Sequence, residues 1–358
     1  MARICQKYLT GNGKAMDKQV LINTVKELFA GNKGLLAMDE SNGTCNKRFA
    51  AAGIPQTVEM RRSYRELIVT TPGLHESIGG AILYDETIRQ QTKDGVPMID
   101  VLIKNGIIPG IKVDTGEKPM AAFPGEKITE GLDGLRERLA EYKNMGARFA
   151  KWRAVITIGD YIPTIACIEA NVHALARYAA LCQEAGIVPI IEPEVLMEGD
   201  HTLQKCFDVT VHTLKILFYQ LYQYKIVLEG MILKPNMIIA GTKSAEKNRV
   251  DEVAEATVNC LLQSVPSAVP AIAFLSGGQS PEVASAHLNA IHANFKNRLP
   301  WIVSFSFARA IQQPALDIWK GQEANVEKAQ RLLYQRAKMD AAARRGEYDA
   351  SMERNLTE

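Results

Sequence analysis

A lysine lies inside the apolar run LEGMILKPNM, residues 228 to 237. Burying an amine is costly, and burial is also what makes it chemically useful. Desolvation and a nearby cation, for which Lys151 is the candidate, would disfavour the ammonium form and so favour the neutral amine that attacks a carbonyl and forms a Schiff base. Pro235 lacks a backbone donor and favours extended backbone at Lys234. A Schiff base must be dehydrated and must have protons moved around it, so carboxylates should converge on the same point.

Charged residues enter the other short apolar runs at the C-terminal end. Asp39 and Glu40 close the first; Asp85 and Glu86 the second; Lys112 and Asp114 the third; Lys151 and Arg153 the fourth; Glu192 and Glu194 the fifth; Lys234 the sixth. Strand side chains alternate with period two, so Lys112 with Asp114, Lys151 with Arg153, and Glu192 with Glu194 each point to one side. Alternation alone does not say which side. A single charge there is more often the place where a strand reaches water, and a mixed set can be a structural ion-pair network. Six runs with the same asymmetry favour a shared site.

Anion-binding material follows the last two runs. In LSGGQSPE, residues 275 to 282, Gly277 and Gly278 allow backbone N–H groups to approach an anion ahead of a helix starting near Pro281, and SFSFAR brings Ser306 and Arg309. A second cluster, Ser41, Thr44, Lys47 and Arg48, follows the first run. Two such sites at opposite sides of one mouth suit a bisphosphorylated substrate, although Lys47 and Arg48 fit a solvated helix face equally well. The six histidines show no metal-ligand spacing, so neither a metal nor another cofactor is expected.

Eight short apolar runs must position these residues: 34 to 41, 80 to 87, 107 to 114, 148 to 155, 187 to 195, 230 to 237, 271 to 278 and 301 to 308. Helical stripes alternate with them, including Leu132 to Tyr142, Ile165 to Cys182 closed by Gly186, Leu203 to Leu221 and Val250 to Leu261, after an opening helix through Leu21, Val25, Leu28 and Phe29. The expectation is an α/β fold, a (β/α)8 TIM barrel with an N-terminal helical extension and a short polar C-terminal tail. One domain spans 1 to 358, the barrel about 30 to 340 and a polar tail about 341 to 358, mobile over RRGEYDASMERNLTE from residue 344. A doubly wound sheet is the alternative; it lacks a G-x-G-x-x-G after the first strand.

With 42 basic against 40 acidic residues and no block of like charge, neither nucleic acid nor a membrane surface is an expected partner. Six scattered cysteines, no leader-like apolar segment and no long apolar stretch predict a cytoplasmic protein.

Taken in order, AMDESNGT, GIKVDTG, GLDGLRER, AKWRAV, IVPIIEPEVL, GDH, LEGMILKPNM, FLSGGQS and FSFARA closely resemble class I, Schiff-base fructose-1,6-bisphosphate aldolases, from about residue 16 to 340. The resemblance implies a metal-independent homotetramer that reversibly cleaves fructose 1,6-bisphosphate into dihydroxyacetone phosphate and glyceraldehyde 3-phosphate. It also implies roles: Lys234 forms the iminium, Asp39 takes the C4 hydroxyl proton, Glu192 dehydrates the carbinolamine with Glu194 in support, and Lys151 keeps the site positive. Lys112 resembles a substrate-binding cation, with Arg153 beside it; Ser276, Gly277 and Arg309 resemble the C1-phosphate site, with Gly278, Ser306 and Ala308 adjoining, and Ser41, Thr44 and Arg48 flank the other end. The chain departs from the family pattern at Thr44, commonly serine, and at Phe307 and Ala308, where SFAR replaces SYGR and a backbone needing positive φ would strain Ala308. Many relatives end in a tyrosine that assists at the enamine; this chain ends RNLTE, with Tyr348 ten residues short. Another group, or water, is expected to carry that step.

Overall fold

Hydroxyl residues punctuate the chain where apolar runs give way to helices. Ser41, Thr57, Thr164, Thr202 and Ser280 each accept a hydrogen bond from a backbone N–H three residues on, and a helix starts after each. Pro281 occupies the first helical position after Ser280, and Gly186, at φ 69°, ends the 165–185 helix. The computed structural model describes residues 17–356; Cys5, Thr357 and Glu358 lie outside them.

The strands are β1 (Gly34–Met38), β2 (Ile78–Leu83), β3 (Ile108–Lys112), β4 (Gly116–Pro119), β5 (Lys127–Glu130), β6 (Phe149–Ile156), β7 (Val188–Val195), β8 (Ile232–Leu233), β9 (Ala271–Phe274) and β10 (Ile302–Phe307). Eight of them pair in parallel as a closed barrel, β1-β2-β3-β6-β7-β8-β9-β10, and Leu35 pairs with Ser306 at closure. The helices are α1 (Lys18–Leu28), α2 (Asn42–Ala51), α3 (Val58–Val69), α4 (Asp85–Ile88), α5 (Met98–Lys104), α6 (Leu135–Met145), α7 (Ile165–Ala185), α8 (Leu203–Gln223), α9 (Val250–Ser264), α10 (Pro281–Phe295), α11 (Arg309–Trp319) and α12 (Val326–Ala343). This is the expected (β/α)8 barrel. The antiparallel hairpin β4–β5, inserted between β3 and α6, was not anticipated.

Two apolar layers explain why β7 is buried along its whole length. Between strands and outer helices lies the larger core. Inside the barrel, Leu35, Ala37, Ile82, Phe149, Val188, Ile190, Ile232, Ala271 and Ala273 cluster with Leu21, Val25, Leu28 and Phe29. The N-terminal helix therefore plugs the end of the barrel opposite the charged strand ends. Gly79 makes room for it: a Cβ there would lie 1.9 Å from the Leu28 carbonyl oxygen.

The tail differs from expectation. Residues 341–343 belong to α12, and a 3-10 turn over Ala350–Leu356 follows. Its Glu353 Oε1 accepts hydrogen bonds from Arg336 Nη1 at 2.5 Å and Tyr348 Oη at 2.7 Å. Polar composition suggested mobility; a buried arginine on α12 in need of a carboxylate holds the segment instead.

Candidate active site

Parity, open in the sequence, is settled by the barrel interior. Ala37 points inward, and two residues on is Asp39; Ile190 leads likewise to Glu192, Ile232 to Lys234 and Phe149 to Lys151. The apolar layers thus end in a polar layer of the same alternation at the C-terminal mouth, where a cavity of about 340 Å³ opens.

Four side chains form a continuous ionic chain on the cavity floor. Lys234 Nζ lies 3.1 Å from Glu192 Oε1, Glu192 Oε2 lies 2.7 Å from Lys151 Nζ, and Lys151 Nζ donates to Asp39 Oδ2 at 3.0 Å. All four are more than nine-tenths buried. Burial opposes ionisation of Asp39, but Lys151, Lys234 and Lys112 outweigh it and hold the carboxyl far below its usual range. Glu192 is lowered likewise: burial pushes it up, and Lys151, Lys234 and Arg153 overcome that. Burial works against the Lys151 ammonium too, yet Asp39, Glu192 and Asp114 keep it charged well above the ordinary lysine range. At neutral pH Lys151 is thus a fixed cation between two carboxylates. Sequence reasoning offered it as the cation beside Lys234; in the structure the nearest ionic partner of Lys234 is Glu192, an acceptor for the amine's proton.

The cavity continues in two directions. On one side, Gly277 (φ 58°) and Gly278 (φ 82°) follow β9 in conformations suited to glycine, and a Cβ on Gly278 would lie 2.9 Å from Arg309 Nη2. Ser276, Ser306 and Ala308 line the same end, and the buried Ser306 Oγ has no hydrogen-bond partner among the described residues. Ala308 has φ −109° at the N-cap of α11, so the feared strain is absent. Among the described residues, Arg309 has no carboxylate within ion-pair distance, unlike the other cations of the cavity. Across the barrel, at the end of β3 and on β6, stand Lys112, paired with Asp114 at 3.3 Å, and Arg153, whose Nε donates to Glu194 Oε2 at 2.5 Å, while Ser41 and Thr44 line the rim after β1.

A family model described as Fructose-bisphosphate aldolase class-I matches residues 20–358. The chain belongs to that family. It is 55% identical over 334 residues to a probable fructose-bisphosphate aldolase class 1 of Xanthomonas campestris, covering 93% of this chain and 99% of the relative. It is 48% identical to the cytosolic fructose-bisphosphate aldolase 6 of Arabidopsis thaliana, covering 88% of each. Among solved structures, a fructose-bisphosphate aldolase of Plasmodium falciparum, in complex with TRAP and a small-molecule inhibitor, matches with TM-score 0.91 and 44% identity over 93% of this chain and 96% of that one. The protein is accordingly an enzyme, a class I aldolase-type lyase. No helix among the described residues is long and apolar enough to cross a membrane.

In this aldolase, fifteen of the sixteen side chains or glycines expected at the site line the cavity. Arg48 does not. Its guanidinium, one helical turn beyond Thr44 on the same face of α2, bonds to Glu40 and, at 3.2 Å and 3.3 Å, to Gln313 and Gln312. Arg65 holds the other Glu40 oxygen at 2.8 Å, so these arginines brace the end of β1. Asp85 and Glu86 likewise serve structure, pairing with Arg89 at 2.9 Å and Arg61 at 2.7 Å. The inward residue of that run is Tyr84, legible from its parity with Ile82, and Lys112 Nζ lies 5.9 Å from its ring centre. Thr115, Gly116 and Glu117 were missed because they ride on the unanticipated hairpin. The signal was present: GEKP and KITE, separated by a Pro-Gly turn, are strand-length segments without helical spacing.

Proposed function

We propose that this enzyme reversibly cleaves fructose 1,6-bisphosphate to dihydroxyacetone phosphate and glyceraldehyde 3-phosphate through a Schiff base on Lys234. The observation that carries the assignment of steps is the unbroken buried chain Lys234–Glu192–Lys151–Asp39, with each link at 3.1 Å or less. Lys234 passes a proton to Glu192 and attacks the C2 carbonyl. Glu192 returns a proton to the carbinolamine hydroxyl, which leaves as water and generates the iminium. Asp39, ionised beside Lys151, takes the C4 hydroxyl proton; the C3–C4 bond breaks, its electrons neutralise the iminium as an enamine, and the aldehyde departs. Protonation at C3 and hydrolysis then free the ketose phosphate and the amine.

Lys151 supplies a constant positive charge that keeps both carboxylates ionised, and Arg153 orients Glu194 beside Glu192. Arg309, which has no ion pair among the described residues, takes the phosphate on the Schiff-base half with Ser276, Gly277, Gly278, Ser306 and the Ala308 backbone. Lys112, Arg153, Ser41 and Thr44 take the other. Arg48 acts through Glu40 rather than on substrate. The resemblance to class I enzymes and the cytosolic Arabidopsis relatives support a cytoplasmic homotetramer.

Borohydride reduction with dihydroxyacetone phosphate tests the central step. A single covalent adduct at Lys234 by peptide mass spectrometry, unaffected by chelator, is the expected result. An adduct at another lysine, or inactivation by chelator, overturns the assignment.

A further inference from the structure

The floor of the cavity is charge-balanced by its own chain of ion pairs, and the Arg309 end carries an uncompensated cation. At the opposite end the cations are already paired. Lys112 already has Asp114 at 3.3 Å and Arg153 already has Glu194 at 2.5 Å. Glu117 adds a further carboxylate there, 3.9 Å from Arg153 Nη1 and 3.6 Å from Lys127 Nζ. Burial alone would raise its pKa, but a backbone hydrogen bond and the cations Arg153, Lys127 and Lys112 lower it, so it is ionised at neutral pH.

Its mount is rigid. Glu126, in the turn of the hairpin, accepts hydrogen bonds from Thr164 N at 2.7 Å and Thr164 Oγ1 at 2.6 Å at the N-terminus of α7. Asn171 on α7 donates to the Lys127 carbonyl at 2.8 Å and accepts from Thr129 N. Thr115 N and Gly116 N are tied to Glu130 O and Asp114 Oδ1. A phosphate reaching Lys112 and Arg153 must therefore compete with Glu117 or displace its side chain.

We infer that Glu117, held over the mouth by the β4–β5 hairpin, is a specificity-determining residue that weakens the hold on the phosphate far from the Schiff base and so lowers the preference for bisphosphorylated over singly phosphorylated ketoses. This rests on the substrate orientation proposed above. An anion bound at Arg309 feels an unpaired cation, whereas one bound at Arg153 gains attraction only after the Glu117 carboxylate is screened or moved. The discrimination falls on binding rather than chemistry, because Glu117 has no contact with the ionic chain on the floor.

Steady-state kinetics of Glu117→Gln, Glu117→Lys and Glu117→Asp with fructose 1,6-bisphosphate and fructose 1-phosphate test it. In Glu117→Gln, KM for the bisphosphate should fall about three- to fivefold, the scale of a partly exposed ion pair, with kcat and the monophosphate KM nearly unchanged. Glu117→Lys should enlarge the effect and Glu117→Asp restore the original ratio. An unchanged ratio of kcat/KM values, or equal shifts for both substrates, overturns the inference. Borohydride trapping at Lys234 in the same variants separates the two readings: its loss in the unaltered enzyme indicts the Schiff-base assignment, whereas its retention with an unmoved ratio indicts Glu117 alone.

Discussion

Lys151 illustrates how one residue sets the state of its neighbours. Its ammonium lies 3.0 Å from Asp39 and 2.7 Å from Glu192, and both carboxyls sit below their ordinary range largely because of it. Replacing it by methionine keeps the length of the side chain and removes the charge. Two buried carboxylates then lose their strongest cation, and desolvation, which raises both, is opposed only by Lys234, Lys112 and Arg153. The expected result for Lys151→Met is a fall in kcat of about 10²- to 10⁴-fold, the usual range for impaired acid–base assistance. More telling is the direction of the pH profile. A raised carboxylate pKa means the ionised form is lost at higher pH, so the acid limb of kcat/KM should move upward. An acid limb that stays in place would show that Lys151 does not control these groups.

At the scale of elements, the division between what was legible and what was not follows from periodicity. Strands buried on both faces read as continuous apolar runs, so the eight barrel strands and the polar residues at their ends could be placed from pattern alone. The apolar stripes of α6, α7, α8 and α9 were equally readable. The direction of Lys112, Lys151 and Glu192 was not, because period two leaves two faces; the packing of α1 against the inward residues decides it. Hairpin β4–β5 escaped because its strands of four residues each are short, β4 mostly exposed and β5 half-buried, and so carry no apolar run. Arg48 was misplaced because it shares a helix face with Thr44, and the sequence does not reveal that Glu40, Gln312 and Gln313 take up its guanidinium one turn further on. The plug itself makes a prediction at this scale. In Gly79→Ala the new methyl meets backbone, the Leu28 carbonyl, which cannot rotate aside. Helix α1 must shift off the barrel floor, at a cost of about 1–3 kcal/mol or more by the scale of overpacked cores. Urea unfolding measures it, and a variant as stable as the parent would mean that α1 does not seal the barrel.

The whole molecule is closed by a second buried polar cluster, far from the chemistry in kind. Arg336 on α12 lies 3.8 Å from Asp340 and bonds to Glu353 of the following segment, while Ser285 of α10 donates to Asp340 Oδ1 at 2.6 Å. Asp340 is wholly buried, and its Oδ2 has no partner among the described residues. Desolvation pushes it up to about 7, with Arg336 and Ser285 opposing and Glu353 adding to the rise. An acid whose folded pKa is raised above its unfolded value retains a proton that the unfolded chain has released, so its contribution to stability declines as pH climbs from 3.8 to about 7. Two buried histidines of α10 act in the opposite sense. His287 and His292 are lowered to about 4 by burial, so the unfolded chain binds their protons first and stability grows as pH rises from about 4 toward their ordinary 6.5. The raw stability curve therefore mixes opposed slopes, and the informative quantity is a difference. Asp340→Asn keeps the shape, cannot ionise and leaves the histidines in place. Its stability relative to the parent should increase with pH between about 4 and 7 by as much as about 1.4 kcal/mol per unit, whatever constant offset the lost carboxylate brings. Denaturant unfolding of both proteins at four or five pH values in that window provides the test: a difference independent of pH would mean that Asp340 is ionised throughout and fully compensated by Arg336.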